Sequence, residues 1–252
     1  MSALDLNKFE ENVRKYAEQV VDNLMKSDTT AILSEEDVPD DRLMEILKGV
    51  GVECRGIKEK TELFTLMDST CKVDGKDILA VTFTKSFVPY VYYKTEDYAE
   101  LLKRTIADSL LYLVASKDVK LYRLLIEGMI AGRFVVVGSN FDNGLLLDTV
   151  IRDMVKQDGR KPLINVFTAG MLTMVIFNPD DIKEEYSKVS NYFVVTVRYS
   201  VMLGGLVPMV IPVDRDMVIS MFMDQYIAFK MTANAVMENN RRLAELIRKL
   251  TE

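Results

Sequence analysis

The stretch from Thr95 to Ile130 constrains the fold more than any other part of the sequence. Thr95 offers an N-cap, and Glu96 and Asp97 suit the positive end of a helix dipole. Tyr98, Leu102, Ile106, Leu110 and Leu113 then recur at helical spacing. The stripe meets Ser116, Lys117 and Asp118, and resumes with Leu121, Leu124 or Leu125, and Met129 before Gly132. Unbroken, such a helix would be roughly 50 Å long, well beyond the usual globular helix. A break at Ser116 would give two ordinary helices, and periodicity leaves both readings open. Either way, two apolar patches flank a charged saddle. A small private core needs only one patch. Two patches suit a molecule that packs on itself at one end and on neighbours at the other.

The flanking segments predict a mixed α+β chain. Leu6, Phe9, Val13, Tyr16, Val20 and Leu24 mark an amphipathic helix over residues 4–26. An acidic stretch, Ser34 to Asp41, leads into a short helix over 41–48 that Gly49 and Gly51 close. Residues 61–86 carry two β-rich runs on either side of Val73-Asp74-Gly75-Lys76. Asp-Gly between such runs signals a tight primed hairpin turn, with its tip at Asp74 and Gly75. The alternation in both arms is imperfect, which predicts a half-exposed hairpin. Val88 to Tyr93 reads as an extended aromatic segment, and Pro89 biases Val88 away from helix. Further on, strands are expected at 134–137, 162–167, 192–201 and 206–213, and helices at 145–157, at 170–187 with an interruption and new N-terminus at Pro179, and over most of 217–251, where 221–231 is ambiguous.

Composition narrows the function. Of the 252 residues, 49% are apolar, enough for a sizeable core. The net charge is -6, and Asn240-Arg241-Arg242 lies among acidic neighbours, which does not suit a reader of duplex DNA. The sequence has no histidine. That removes Ser-His-Asp and Cys-His catalysis and histidine-ligated metals. Cys54 and Cys71 are too few for a disulfide scaffold or a zinc site. Two free thiols in a reducing cytoplasm are expected, with a single bridge as the alternative. The charged N-terminus predicts no signal peptide, and the apolar runs are too short and Pro-broken to span a bilayer.

The candidate sites have plain readings. Gly49-x-Gly51 and Gly204-Gly205 complete no phosphate-loop motif and read as turns. Glu35, Glu36, Asp37, Asp40 and Asp41 lack the spacing of a calcium loop and read as a solvated linker. Asp214 and Asp216 around Arg215 read as a surface turn. No catalytic residue, cofactor or metal site is expected. The fifteen methionines are core filler, or packing for surfaces that must fit several geometries.

The order of elements is more informative: a helical arm, a hairpin, a long helix, a short strand and helix, then a strand-rich region. The pieces that carry it are the Asp74-Gly75 hairpin, the helix ending in SKDVKLYRLLIEG, LLLDTVIRDMVKQDGRKPLINVF and GGLVPMVIPV. This pattern resembles the major capsid protein of tailed bacteriophages and related archaeal viruses, a fold shared with encapsulin compartments. The resemblance covers about residues 60 to 215; the C-terminal NRRLAELIRKL lies outside it. It implies an N-terminal arm and linker (1–57), an extended hairpin loop (58–94), the spine helix of a peripheral domain (95–135), and an axial domain with remaining peripheral elements (136–252).

The implied function is that of a non-enzymatic capsid subunit. It would assemble with itself, as hexamers and pentamers, into an icosahedral head in the host cytoplasm and remain in the virion. The shell would enclose nucleic acid without reading its sequence and would involve no membrane. Scaffold, portal and decoration proteins are the further candidate partners. Asp74, Gly75 and Lys76 at the hairpin tip, and Asp118 on the spine helix, are the candidate subunit contacts. An encapsulin-like shell is the near alternative. A histidine-free α/β enzyme or ligand-binding protein would use the turn at Gly138 to Gly144 to hold an anion. An adaptor would work through its N-terminal helix.

Overall fold

The computed structural model describes residues 6–83, 89–130, 165–169, 172–176, 183–190 and 192–252. The chain is mixed α+β and divides into two compact units. One contains residues 1–117 together with 230–252, and the other residues 118–229. The expected strand at 134–137, the helix at 145–157 and the Gly138–Gly144 turn lie outside the described residues.

The first unit starts with helix α1 (Leu6–Lys26), whose Phe9, Val13, Ala17, Val21 and Leu24 are buried. Strand β1 (Ala31–Ser34) and helix α2 (Asp40–Gly49) follow. Then come β2 (Ile57–Lys60), β3 (Thr65–Met67), β4 (Lys72–Val73), β5 (Lys76–Phe83) and β6 (Pro89–Tyr93). They form one sheet in the order β2-β3-β1-β5-β4, with β6 also on β5. β1 runs parallel to β5 and antiparallel to β3.

This sheet corrects the simple hairpin expected at 61–86. Only Lys72 and Val73 pair back onto β5 across the Asp74-Gly75 turn. β3 is held away from β5 by β1, a strand hidden in a sequence that reads as linker. Nor is β5 half-exposed. Ile78, Leu79, Ala80 and Val81 are consecutive and all buried. Consecutive strand residues face opposite sides, so both faces of β5 are covered. Ile78, Val81 and Phe83 belong to a cluster with Ile32, Met67 and, from α2, Leu43 and Leu47. Thr30 ties the strands together: its buried hydroxyl donates to the Ile78 carbonyl at 2.7 Å and accepts from the Cys71 amide at 2.8 Å.

Cys54 and Cys71 form a disulfide, with Cα atoms 4.6 Å apart. This corrects the expectation of free thiols. The sequence separation of 17 carried no pairing signal. The fold supplies one, because Glu53 and Lys72 make an isolated antiparallel bridge, exchanging backbone hydrogen bonds of 2.8 and 2.9 Å.

The stripe after Thr95 forms two helices, α3 (Glu96–Ala115) and α4 (Val119–Ile130), so the single spine helix over 95–135 is not formed. Local chemistry explains the break. The Ser116 hydroxyl donates back to the Leu113 carbonyl, and Lys117 closes α3 with a bond to Val114. Asp118 then caps the next helix. α3 packs along α1 and contacts β5 and β6. The buried Tyr92 hydroxyl lies 3.2 Å from that of Thr105.

In the second unit, β7 (Asn165–Ala169), β8 (Leu172–Ile176), β9 (Tyr192–Ser200) and β10 (Gly205–Val213) make an antiparallel sheet in the order β10-β9-β8-β7. The helix expected before Pro179 is overturned. Residues 172–176 pair on both sides, with β7 and β9, and among the described residues of this span α5 (Glu184–Ser187) is helical. Thr173, Val175 and Ile176 are β-branched and suit that place. Pro208 and Pro212 sit on β10, at the end of this strand order, where a missing N–H is tolerated. The chain ends with α6 (Arg215–Asp224), α7 (Tyr226–Asn239) and α8 (Arg241–Thr251). α4 packs against α6, and the Tyr122 ring lies against Tyr226 and Phe229.

Candidate assembly surface

The clearest surface feature is the tip of the β9–β10 hairpin. Nine residue pairs hold its arms in register from Tyr192↔Val213 to Ser200↔Gly205. The turn between them is Val201-Met202-Leu203-Gly204. The Leu203 amide donates to the Ser200 hydroxyl at 3.3 Å, and Gly204 takes a positive φ of 63°. Glycine is suited to that conformation, so the turn can close tightly. Its apolar side chains are left in solvent: Val201 is 87% exposed, Met202 96% and Leu203 75%. Single exposed apolar residues are ordinary, but three in a row at a hairpin tip form a contiguous patch. No charged residue interrupts the sequence between Arg198 and Asp214.

The sequence places Val201 at the end of a strand and Gly204-Gly205 in a turn, and the expectations gave no role to Met202 and Leu203. The signal was there. Turn positions favour Gly, Asn, Asp, Ser and Pro, and an apolar triplet in that place contradicts the preference.

Asp74, Gly75 and Lys76 are exposed at a separate tip, in the first unit. Asp74 and Gly75 have φ of 49° and 75°, the two positive values a primed turn requires. Lys72 pairs with Asp77 at 3.5 Å beneath the turn, and the Lys76 ammonium lies 5.7 Å from the Tyr93 ring centroid. These contacts tie the base of the turn to its own chain, and the tip itself is exposed.

Asp118 belongs to the second unit and is exposed. Its carboxylate accepts from the Lys120 amide at 2.8 Å and the Leu121 amide at 3.2 Å, which makes it the N-cap of α4. The Tyr226 phenol is pushed up from its ordinary range, first by burial and then by the Asp118 charge. The saddle from Lys117 to Lys120 is exposed, as the charge pattern predicts.

The remaining sequence candidates serve the fold. Asp37 of the acidic stretch accepts from Arg242 at 2.6 and 2.8 Å. Asp214 caps α6, accepting from the Met217 amide at 2.7 Å. A recess beside Ser34, Glu36, Thr65 and Arg242 encloses about 10 Å³, room for no more than one water. Among the described residues no group of His, Cys, Asp and Glu side chains is placed to hold a metal, and no helix is long and apolar enough to cross a membrane.

Comparison with protein-family models, curated proteins and solved structures returns no match to this chain.

Proposed function

We propose that this chain is a structural subunit that assembles with copies of itself into a closed shell, the role implied by its resemblance to the capsid proteins of tailed viruses. The observation that carries the reading is the Val201-Met202-Leu203 tip. It is an apolar patch at the end of a hairpin whose strands stay in register to the turn, exposed in the single chain. Burying it removes no charge from water, and repeated small contacts of that kind close shells by symmetry.

Two further observations support it. The first unit is built from both ends of the chain, with the second unit inserted as one continuous segment, which suits a two-domain shell subunit. The Cys54–Cys71 bridge suits a particle that leaves the reducing cytoplasm, since disulfides persist outside it. In this reading the β9–β10 tip is a stronger candidate for a subunit contact than the Asp74-Gly75 hairpin, whose long arm is private core. The same subunit chemistry serves a virion head around nucleic acid or an encapsulin-like compartment.

Negative-stain electron microscopy with light scattering, across a concentration and salt series, tests the proposal. Closed particles, or rings of five or six subunits, are the expected result. A compact monomer or dimer at every condition, with or without co-expressed viral scaffold candidates, would overturn it.

A further inference from the structure

The disulfide loop carries the dock of the C-terminal helix. Cys54 and Cys71 enclose residues 55–70, which contain β2, β3 and the turn between them. That turn holds α8 through two polar contacts. The Lys249 ammonium donates to the Glu62 carboxylate at 2.6 Å, and Arg242 donates to the Thr61 carbonyl at 3.0 Å. The electrostatics agree: Lys249 holds the Glu62 carboxyl below its ordinary range, and Glu62 pushes Lys249 up. The other attachments of α8 lie elsewhere. Its Asn240 cap donates to the Ser34 carbonyl, Arg242 also meets Asp37, and Asn12 reaches the Leu250 carbonyl. Along one face α8 buries Leu243, Leu246 and Ile247, while Arg241 and Lys249 face water.

We infer that the Cys54–Cys71 pair is a redox modification site that latches the C-terminal helix to the body of the first unit. Cys71 is fully buried and Cys54 half-buried at the edge of the core cluster, so attack is assigned to the Cys54 sulfur. A dithiol attacks there and expels the Cys71 thiolate. Its second thiol then resolves the mixed disulfide. Two protein thiols form, and the dithiol leaves as its own cyclic disulfide. The strands need not fall apart. The Glu53–Lys72 bridge, the Thr30 hydroxyl and the bond from the Asp68 amide to the Gly56 carbonyl still hold the loop at both ends. What reduction removes is the covalent limit on the motion of residues 55–70. The turn at 61–62 then carries the two α8 contacts with it, and the helix end opens more often.

Hydrogen exchange on the full chain tests the latch, oxidised and after treatment with dithiothreitol. Amides of 55–70 and of 243–251 should both exchange about tenfold faster when reduced, equivalent to losing two exposed polar contacts. The helix amides of α3 should stay unchanged. The Cys54→Ser variant should reproduce the reduced pattern without reductant. In oxidised Lys249→Ala, residues 243–251 should exchange fast already, and reduction should add little. Loosening of 55–70 with α8 unchanged would overturn the inference. So would a uniform rise through α3, which would make the bridge a general staple. The result is independent of whether shells form.

Discussion

Replacing the apolar tip separates assembly from folding. Val201, Met202 and Leu203 are 87%, 96% and 75% exposed, so their side chains contribute little to the single chain. Met202→Ser with Leu203→Ser should therefore change monomer stability by no more than about 0.5 kcal/mol. In an assembly that buries the tip, each removed side chain forfeits about 1–2 kcal/mol of apolar burial. The pair then costs about 2–4 kcal/mol per subunit, which raises the concentration needed for assembly roughly thirty- to a thousandfold. Light scattering over a dilution series reads the assembly concentration, and thermal unfolding of the unassembled chain reads stability. Gly204 is left in place to keep the turn. Unchanged assembly with unchanged unfolding would refute the reasoning, because the patch would then be buried in no contact. A large loss of monomer stability would refute it differently, by showing that the tip packs within its own subunit.

Other outcomes follow from particular residues. Gly75→Val places a β-branched residue at φ 75° and should cost about 1–2 kcal/mol in chemical denaturation; a Cβ there meets no atom within 4 Å, so the unit still folds. If that tip also touches a neighbour, shells of this variant should form less readily; normal shells would confine the turn to its own subunit. Asp118→Ala should loosen α4 by about 1 kcal/mol, while Asp118→Asn keeps the cap, and exchange at residues 120–126 distinguishes them. Burial pushes the Tyr16 phenol up to about 12, with the Glu62 charge adding to it, and burial also raises Tyr92 and Tyr112. An unfolded tyrosine ionises near pH 10, at about its reference value, so between about 10 and 12 the unfolded chain sheds protons that the folded one keeps. Stability should hold below pH 10 and fall above it; a flat denaturation midpoint from pH 9 to 11 would contradict these burials.

The legible parts of the fold were those whose signal is local. α1 announces itself by periodicity, α2 by the glycines that close it, the Asp74-Gly75 turn by its dipeptide, and β9 by alternation. The parts that failed depend on distant partners. Ala31–Ser34 is too short and too close to an acidic run to read as a strand. It is one because β3 and β5 pair with it on either side. Its insertion turned the expected long hairpin into a sheet with a parallel pair, and made β5 a buried centre. Leu172–Ile176 failed in the opposite sense. Its apolar run suits a helix as well as a buried strand, and only β7 and β9 decide between them.

The disulfide and the apolar tip show two different limits. Nothing in residues 54–71 says that the two cysteines meet; the Glu53–Lys72 bridge brings them together after the sheet has formed. The tip, by contrast, could be read from the sequence. A hairpin turn has no interior to fill, and this apolar triplet is left in solvent. The same reasoning separates the tip from Asp118. Its carboxylate bonds two amides of its own helix, so capping α4 is a use that the single chain already gives it. In the proposed assembly, the first residues to test are those whose apolar side chains the single chain leaves in solvent, and at the β9–β10 turn all three are exposed.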